Sequence, residues 1–137
     1  MYVTNADIIA WVGNERAYQL TTDTGTTPDT ALIDDKIEEA EGEVNSAVAM
    51  RTSLTPTEAD HPTSFYMLRG WVTAIVVYKL ALRRPNMPED WKSEYEIVMA
   101  ALERLRKGQI EMPDVDLSGQ QAEWNSKPQD ADRDYMV

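Results

Sequence analysis

The chain has 137 residues, 42% of them hydrophobic, which is enough for one domain around one core. Twenty-four acidic residues against thirteen basic ones leave a net charge of −11, which opposes general binding to duplex DNA at long range. The absence of cysteine excludes disulfides and thiolate metal sites, MYVTNADIIAW lacks the basic and apolar regions of a secretory signal, and no apolar run reaches the roughly eighteen residues of a membrane span. A soluble, intracellular protein with no membrane partner is the expectation.

Thr4 and Asp7 have capping-box spacing and precede Ile8, Ile9 and Val12, after which Gly13 interrupts a short helix. Asn14 is placed to cap a second short segment through Leu20, and TTDTGTTPD then reads as a turn. Thr30 starts a long helix in which Ile33, Ile37, Ala40, Val44 and Val48 recur at intervals of three or four as an apolar stripe. Asp34, Asp35, Glu38, Glu39, Glu41 and Glu43 crowd the same helix; like-charge pairs such as Asp34 with Glu38 oppose it by about 0.2–0.5 kcal/mol each. Gly42 costs about 1 kcal/mol relative to alanine, but permits close approach by another backbone.

RTSLTPTEADHPTS connects this helix to the next, with Thr55, Pro56 and Glu58 suited to a small turn. FYMLRGWVTAIVVYKLALRR follows from Phe65 and is apolar on nearly every side through residues 71–78, the pattern of a helix surrounded by partners. Val72, Thr73, Ile75, Val76 and Val77 also suit a buried strand, but length and flanking periodicity favour helix. Arg84-Pro85 ends it. Asn86 lies three residues before Glu89, with Pro88 in the first turn of a last helix whose Trp91, Tyr95, Val98, Leu102 and Leu105 alternate spacings of four and three. Gly108 suits the C′ position behind Lys107, and the short PNMP link makes these two helices an antiparallel hairpin.

After Met112 the periodicity is lost. The expected fold is therefore all-α: a compact helical bundle over residues 1–112, with a long acidic helix, a C-terminal helix hairpin and a flexible acidic tail over 113–137. Within that tail Trp124 and Tyr135 are candidate anchors that order on contact with a partner.

Chemical motifs are scarce. A single histidine and no cysteine leave no zinc set; Asp60, His61 and Thr63 or Ser64 are adjacent residues with ordinary loop and cap roles. DTGTTPD lacks the ligand order of a calcium loop, and no glycine-rich phosphate loop is present. No catalytic, metal or cofactor site is expected. The candidates are interaction residues: Asp34, Glu38 and Glu41 on the acidic helix, Arg83 and Arg84 at the hairpin, and Trp124 and Tyr135. The paired arginines either supply positive charge at a helix C-terminus or face an acidic neighbouring subunit.

Three stretches in this order, MYVTNADIIAWVG, QLTTDTGTTPDTALIDDKIEEAEGEVNSAVA and YKLALRRPNMPEDWKSEYEIVMAALERLRKGQI, resemble the phage Mu-type head-to-tail connector family, related to tailed-phage head–tail adaptor proteins. The likeness covers roughly residues 1–112. It implies a helical, non-enzymatic adaptor at the virion neck, assembled in the host cytoplasm as a homo-oligomeric ring. Portal and adjacent head–tail morphogenesis proteins would be its partners, with DNA passing through without sequence-specific binding. The alternative reading of the acidity is a protein-interaction module or a nucleic-acid mimic that occupies a basic protein surface.

Overall fold

In the computed structural model, which describes residues 1–115, Thr4 and Asp7 form the reciprocal cap their spacing predicts. The Asp7 amide donates to the Thr4 hydroxyl at 3.3 Å and the Thr4 amide to the Asp7 carboxylate at 2.9 Å, opening α1 (Asn5–Val12). Gly13 closes α1 and stands at the N-cap of α2 (Asn14–Thr21), so Asn14 is the first helical residue rather than the cap. The reason is backbone geometry: the link between the two helices has φ +91°, which glycine adopts without a Cβ penalty.

The turn after α2 is held by its threonines. The Thr21 hydroxyl accepts the Asp29 amide at 2.8 Å, and Asp29 in turn accepts the Leu32 amide at 3.2 Å to cap α3 (Thr30–Ala49). In the next connection Thr57, rather than Thr55, makes the local cap, its hydroxyl accepting the Asp60 amide at 3.2 Å. His61 stands at the N-cap of α4 (Pro62–Ala81), with its amide donated to the Thr57 carbonyl at 2.8 Å.

α5 (Glu89–Arg106) begins after Pro88, which takes the N-cap position expected of Asn86. Proline brings no amide hydrogen to satisfy there, and Glu89 and Asp90 supply the negative charge that the first turn favours. At its end the Gln109 amide reaches the Arg104 carbonyl at 2.8 Å and the Gly108 amide reaches Leu105 at 3.0 Å, a Schellman closure around Gly108 at φ +74°. The Arg51 guanidinium lies 2.9 Å from where a Gly108 Cβ would stand, so glycine serves close packing as well as conformation here.

α3, α4 and α5 pack against one another, and the described residues contain helices and no strand. All five stripe residues of α3 are buried, as are Leu68, Val72, Ile75, Val76 and Leu80 of α4 and Val98, Leu102 and Leu105 of α5. The β-branched run of α4 is helical because partners surround it: each side chain it buries completely is worth about 1.5–3 kcal/mol. Tyr78 and Tyr95 stack across α4 and α5 with centroids 3.9 Å apart. α1 lies against α2, α3 and α4, while α2 touches α4.

The segments before α1 and after α5 both join the core. Tyr2 and Val3 are buried, with the Tyr2 ring 5.6 Å from Phe65. Met112 and Val115 are buried too, and the Asp114 carboxylate between them accepts the amides of Thr63 at 2.7 Å and Ser64 at 2.9 Å. This carboxylate caps α4 from some fifty residues away in sequence, at |i−j| of 51 and 50, and shows that the chain after α5 returns to the start of α4, as an antiparallel hairpin requires. Packing continues through Val115; Trp124 and Tyr135 lie outside the described residues.

Candidate interaction surfaces

α3 is acidic on two sides that do different work. Glu39 and Glu43 turn towards α4, where Lys79 meets them at 3.7 and 3.2 Å. Burial alone would lower the Lys79 pKa, but these two carboxylates outweigh it and hold the ammonium above its ordinary value. On the other side Asp34, Glu38 and Glu41, with Gly42, line a groove of about 660 Å³ between α3 and the N-terminal segment. The three candidate carboxylates therefore do share one face, as their spacing of four and three requires.

The N-terminal segment is fastened into that groove by the same charges. Asn5 donates its amide to Asp34 at 2.9 Å; the Tyr2 amide reaches Glu41 at 3.3 Å and the Met1 amine lies 3.6 Å from the same oxygen. The other Glu41 carboxylate oxygen is buried without a hydrogen-bond partner among the described residues. Tyr2 completes the lock with a 2.9 Å hydroxyl bond to Asn45. Burial, and then the Glu41 charge, push the Tyr2 phenol up to about 12.

A second groove, of about 630 Å³, lies between the end of α1, one face of α4 and the start of α5. Its walls are aromatic: Trp11 (58% exposed), Tyr66 (52% exposed) and Trp91, with Gly70 between them and Asp90 and Glu94 at the α5 side. Trp11 and Trp91 lie 6.3 Å apart at 47°, and the Arg16 guanidinium sits 5.2 Å from the Trp91 ring. Arg69 bridges to Asp7 at 3.1 Å, tying α4 to α1. The Tyr66 hydroxyl donates to Glu58 at 2.6 Å, and that bond raises its pKa. No reading of the sequence singled out Trp11, Tyr66 or Gly70 as surface residues. Tyr66 and Gly70 share an i,i+4 face, but it is inconspicuous in a segment that looks apolar all round.

Arg83 and Arg84 point into their own subunit. α2 ends with free carbonyls, and Arg83 donates to those of Leu20 and Thr21 at 3.0 and 3.1 Å. Arg84 donates to Gln19 and Thr22 carbonyls at 2.8 Å each and pairs with Asp23 at 2.9 Å. The helix C-terminus that these cations serve is thus that of α2 as well as their own. This cross-element cap locks the hairpin turn to the opening of the chain.

Asp60 and His61 stay within their loop, and the amides of Thr63 and Ser64 go to Asp114. Among the described residues no group of three or more His, Asp or Glu side chains is placed to hold a metal ion, and no helix is long and apolar enough to cross a membrane.

Comparison with known proteins supplies a decisive observation. A family model described as Bacteriophage Mu, Gp36 matches residues 2–129. The chain belongs to the phage Mu Gp36 family. No curated protein and no solved structure matches it. The Gp36 match takes in both grooves and the hairpin, and it continues beyond residue 112, where the likeness of individual motifs ends. It includes Trp124 and stops before Tyr135. As a Gp36-family protein the chain is a phage protein with an all-helical body.

Proposed function

We propose that the protein is a head–tail adaptor, assembling as a ring between the portal and the downstream tail proteins and leaving a passage for DNA. The observation that supports this most is the Gp36-family match, which spans the whole described bundle. The physical argument is consistent with it. A rigid body whose helix ends are capped by distant side chains presents fixed surfaces, and identical bodies joined by heterologous contacts close into a ring when the rotation per subunit permits. The aromatic groove supplies the kind of anchor that such contacts use, since aromatics carry much of the binding energy at interfaces. Acidic side chains along α3, if turned to the passage, would keep DNA phosphates from adhering.

Electron microscopy of the purified full-length chain, with and without the portal assembly of the same phage, tests the proposal. Uniform rings seated axially on portals are expected. Failure of complete native components to associate would overturn it. The chain alone need not form rings, because the portal supplies a template that offsets the entropy of assembly.

A further inference from the structure

The composition of the aromatic groove narrows what can fill it. Trp11, Tyr66 and Trp91 wall it, and Gly70 leaves it open, since a Cβ built there meets no atom within 4 Å. Of the charged residues that line it, Arg69 is already paired with Asp7, whereas Asp90 and Glu94 make no ion pair among the described residues. Aromatic walls receive extended, proline-containing segments, because pyrrolidine rings pack on their faces and a preformed polyproline II backbone loses little entropy on docking. The two acids add a preference for positive charge in the incoming segment.

The fold displays such a segment. The turn between α4 and α5 reads RRPNMP over residues 83–88, with Pro85 and Pro88 in P-x-x-P spacing. Pro85 and Asn86 are exposed, Leu82 before them is 59% exposed, and Pro88 has φ −56° and ψ 134°, close to polyproline II geometry. No acid lies between Leu82 and Pro88, and Arg83 makes no ion pair among the described residues. Pro85 to Pro88 at about 3.1 Å per residue spans about 9 Å, inside the roughly 16 Å of α4 from Tyr66 to Val77. A subunit cannot seat its own turn: Pro88 is three residues from Trp91 in the groove wall, and the bonds from Arg83 and Arg84 hold the turn against α2.

We infer that the turn over residues 82–88 of one copy docks in the aromatic groove of the next, with Pro85 against the rings of Trp11 and Tyr66 and Arg83 brought near Asp90 and Glu94. This rests on the ring assembly proposed above and names a contact that builds it. Turn and groove are different surfaces, so the joint is heterologous, as a ring requires.

The chain has no cysteine, so disulfide trapping reads the contact directly. Full-length Asn86→Cys labelled with heavy nitrogen is mixed at micromolar concentration with unlabelled Thr73→Cys, which lines the groove, or with Ser93→Cys, exposed on α5 outside it. Each mixture is oxidised with and without the portal assembly, and mass spectrometry counts the mixed disulfide. Coupling to Thr73→Cys is expected to run about tenfold faster or more than to Ser93→Cys, because docking holds the thiols within bridging distance while free copies meet only by collision. Adding Trp11→Ala to the Thr73→Cys partner should return the rate to that of Ser93→Cys. If Thr73→Cys fails to fold by circular dichroism, Gly70→Cys takes its place, where a Cβ meets nothing. Equal rates for both partners with the portal present and absent, or a rate indifferent to Trp11→Ala, overturn the inference; rings that form all the same leave the adaptor reading standing. With both cysteines in one chain, a ladder of linked copies supports contact and ring together. A ladder that stops at the dimer supports the docked turn and overturns the ring.

Discussion

The two grooves differ in how much of their chemistry the subunit consumes. In the acidic groove, Asp34 and Glu41 are engaged by Asn5, Tyr2 and the Met1 amine, so the charge cluster fastens the start of the chain to α3. In the aromatic groove Trp11 and Tyr66 remain more than half exposed, and the ion pair beside them, Arg69 with Asp7, holds the wall rather than filling the space. Density of charge in a sequence is thus a poor guide to the surface left for partners. What the fold leaves unsatisfied is a better one.

Substitution of one aromatic side chain from the segment beside each groove should expose the contrast most strongly. Tyr2 is 3% exposed and packs on Phe65, so Tyr2→Ala should cost about 3 kcal/mol or more of unfolding free energy. Trp11 is the larger residue, yet at 58% exposure Trp11→Ala should cost about 1 kcal/mol or less. Urea titrations of both variants measure the difference. Equal costs would erase the distinction between a groove used by the fold and one left open.

The helices were legible in the sequence because their signals are local. The α3 stripe, the capping box at Thr4 and the Gly108 closure each rest on residues within a turn or two, and each is found where the spacing puts it. The hairpin was legible for the same reason. Caps supplied across the fold were not. Asp114 read as one acid among several near the end of the chain, and Arg83 and Arg84 read as cations of their own helix or of a contact with an acidic neighbouring subunit; only folding brings them to α4 and α2. The Asp34, Glu38 and Glu41 face was predictable from helical periodicity, but its service to the N-terminal segment was not, since nothing marks Tyr2 as a core residue. The aromatic groove was the least visible. Its three walls come from α1, α4 and α5, and the apolar run of α4 conceals which of its residues face water.

The two helix-interior glycines refine the comparison with smaller energies. Gly42 lines the acidic groove and Gly70 the aromatic one, and a Cβ meets nothing within 4 Å at either. Gly42→Ala should therefore raise stability by about 0.5–1 kcal/mol through helix propensity alone. Gly70→Ala should gain as much on the same grounds. Thermal unfolding of the two variants side by side checks this. A gain at Gly42 with a loss at Gly70 would mean that a contact of the aromatic groove depends on the bare backbone there.

The smallest effect is electrostatic and belongs to the acidic groove. Burial and Glu41 raise the Tyr2 phenol from 10.0 to about 12, so the folded state holds this proton after the unfolded chain has released it. In that window the unfolded state binds fewer protons than the native one, and stability must fall as pH rises. The contribution is whole below pH 10 and is lost as pH climbs towards 12. Tyr2→Phe keeps the ring on Phe65 but removes the ionising group and the bond to Asn45, so the variant should start slightly less stable at neutral pH and lose less between pH 10 and 12. Tyr66, whose hydroxyl is held by the Glu58 carboxylate, lies in the exposed groove, where water screens the interaction; Tyr66→Phe should leave the alkaline slope nearly unchanged. A slope that followed Tyr66 instead of Tyr2 would mean that the aromatic groove, and not the acidic one, is where the fold confines its ionisable groups.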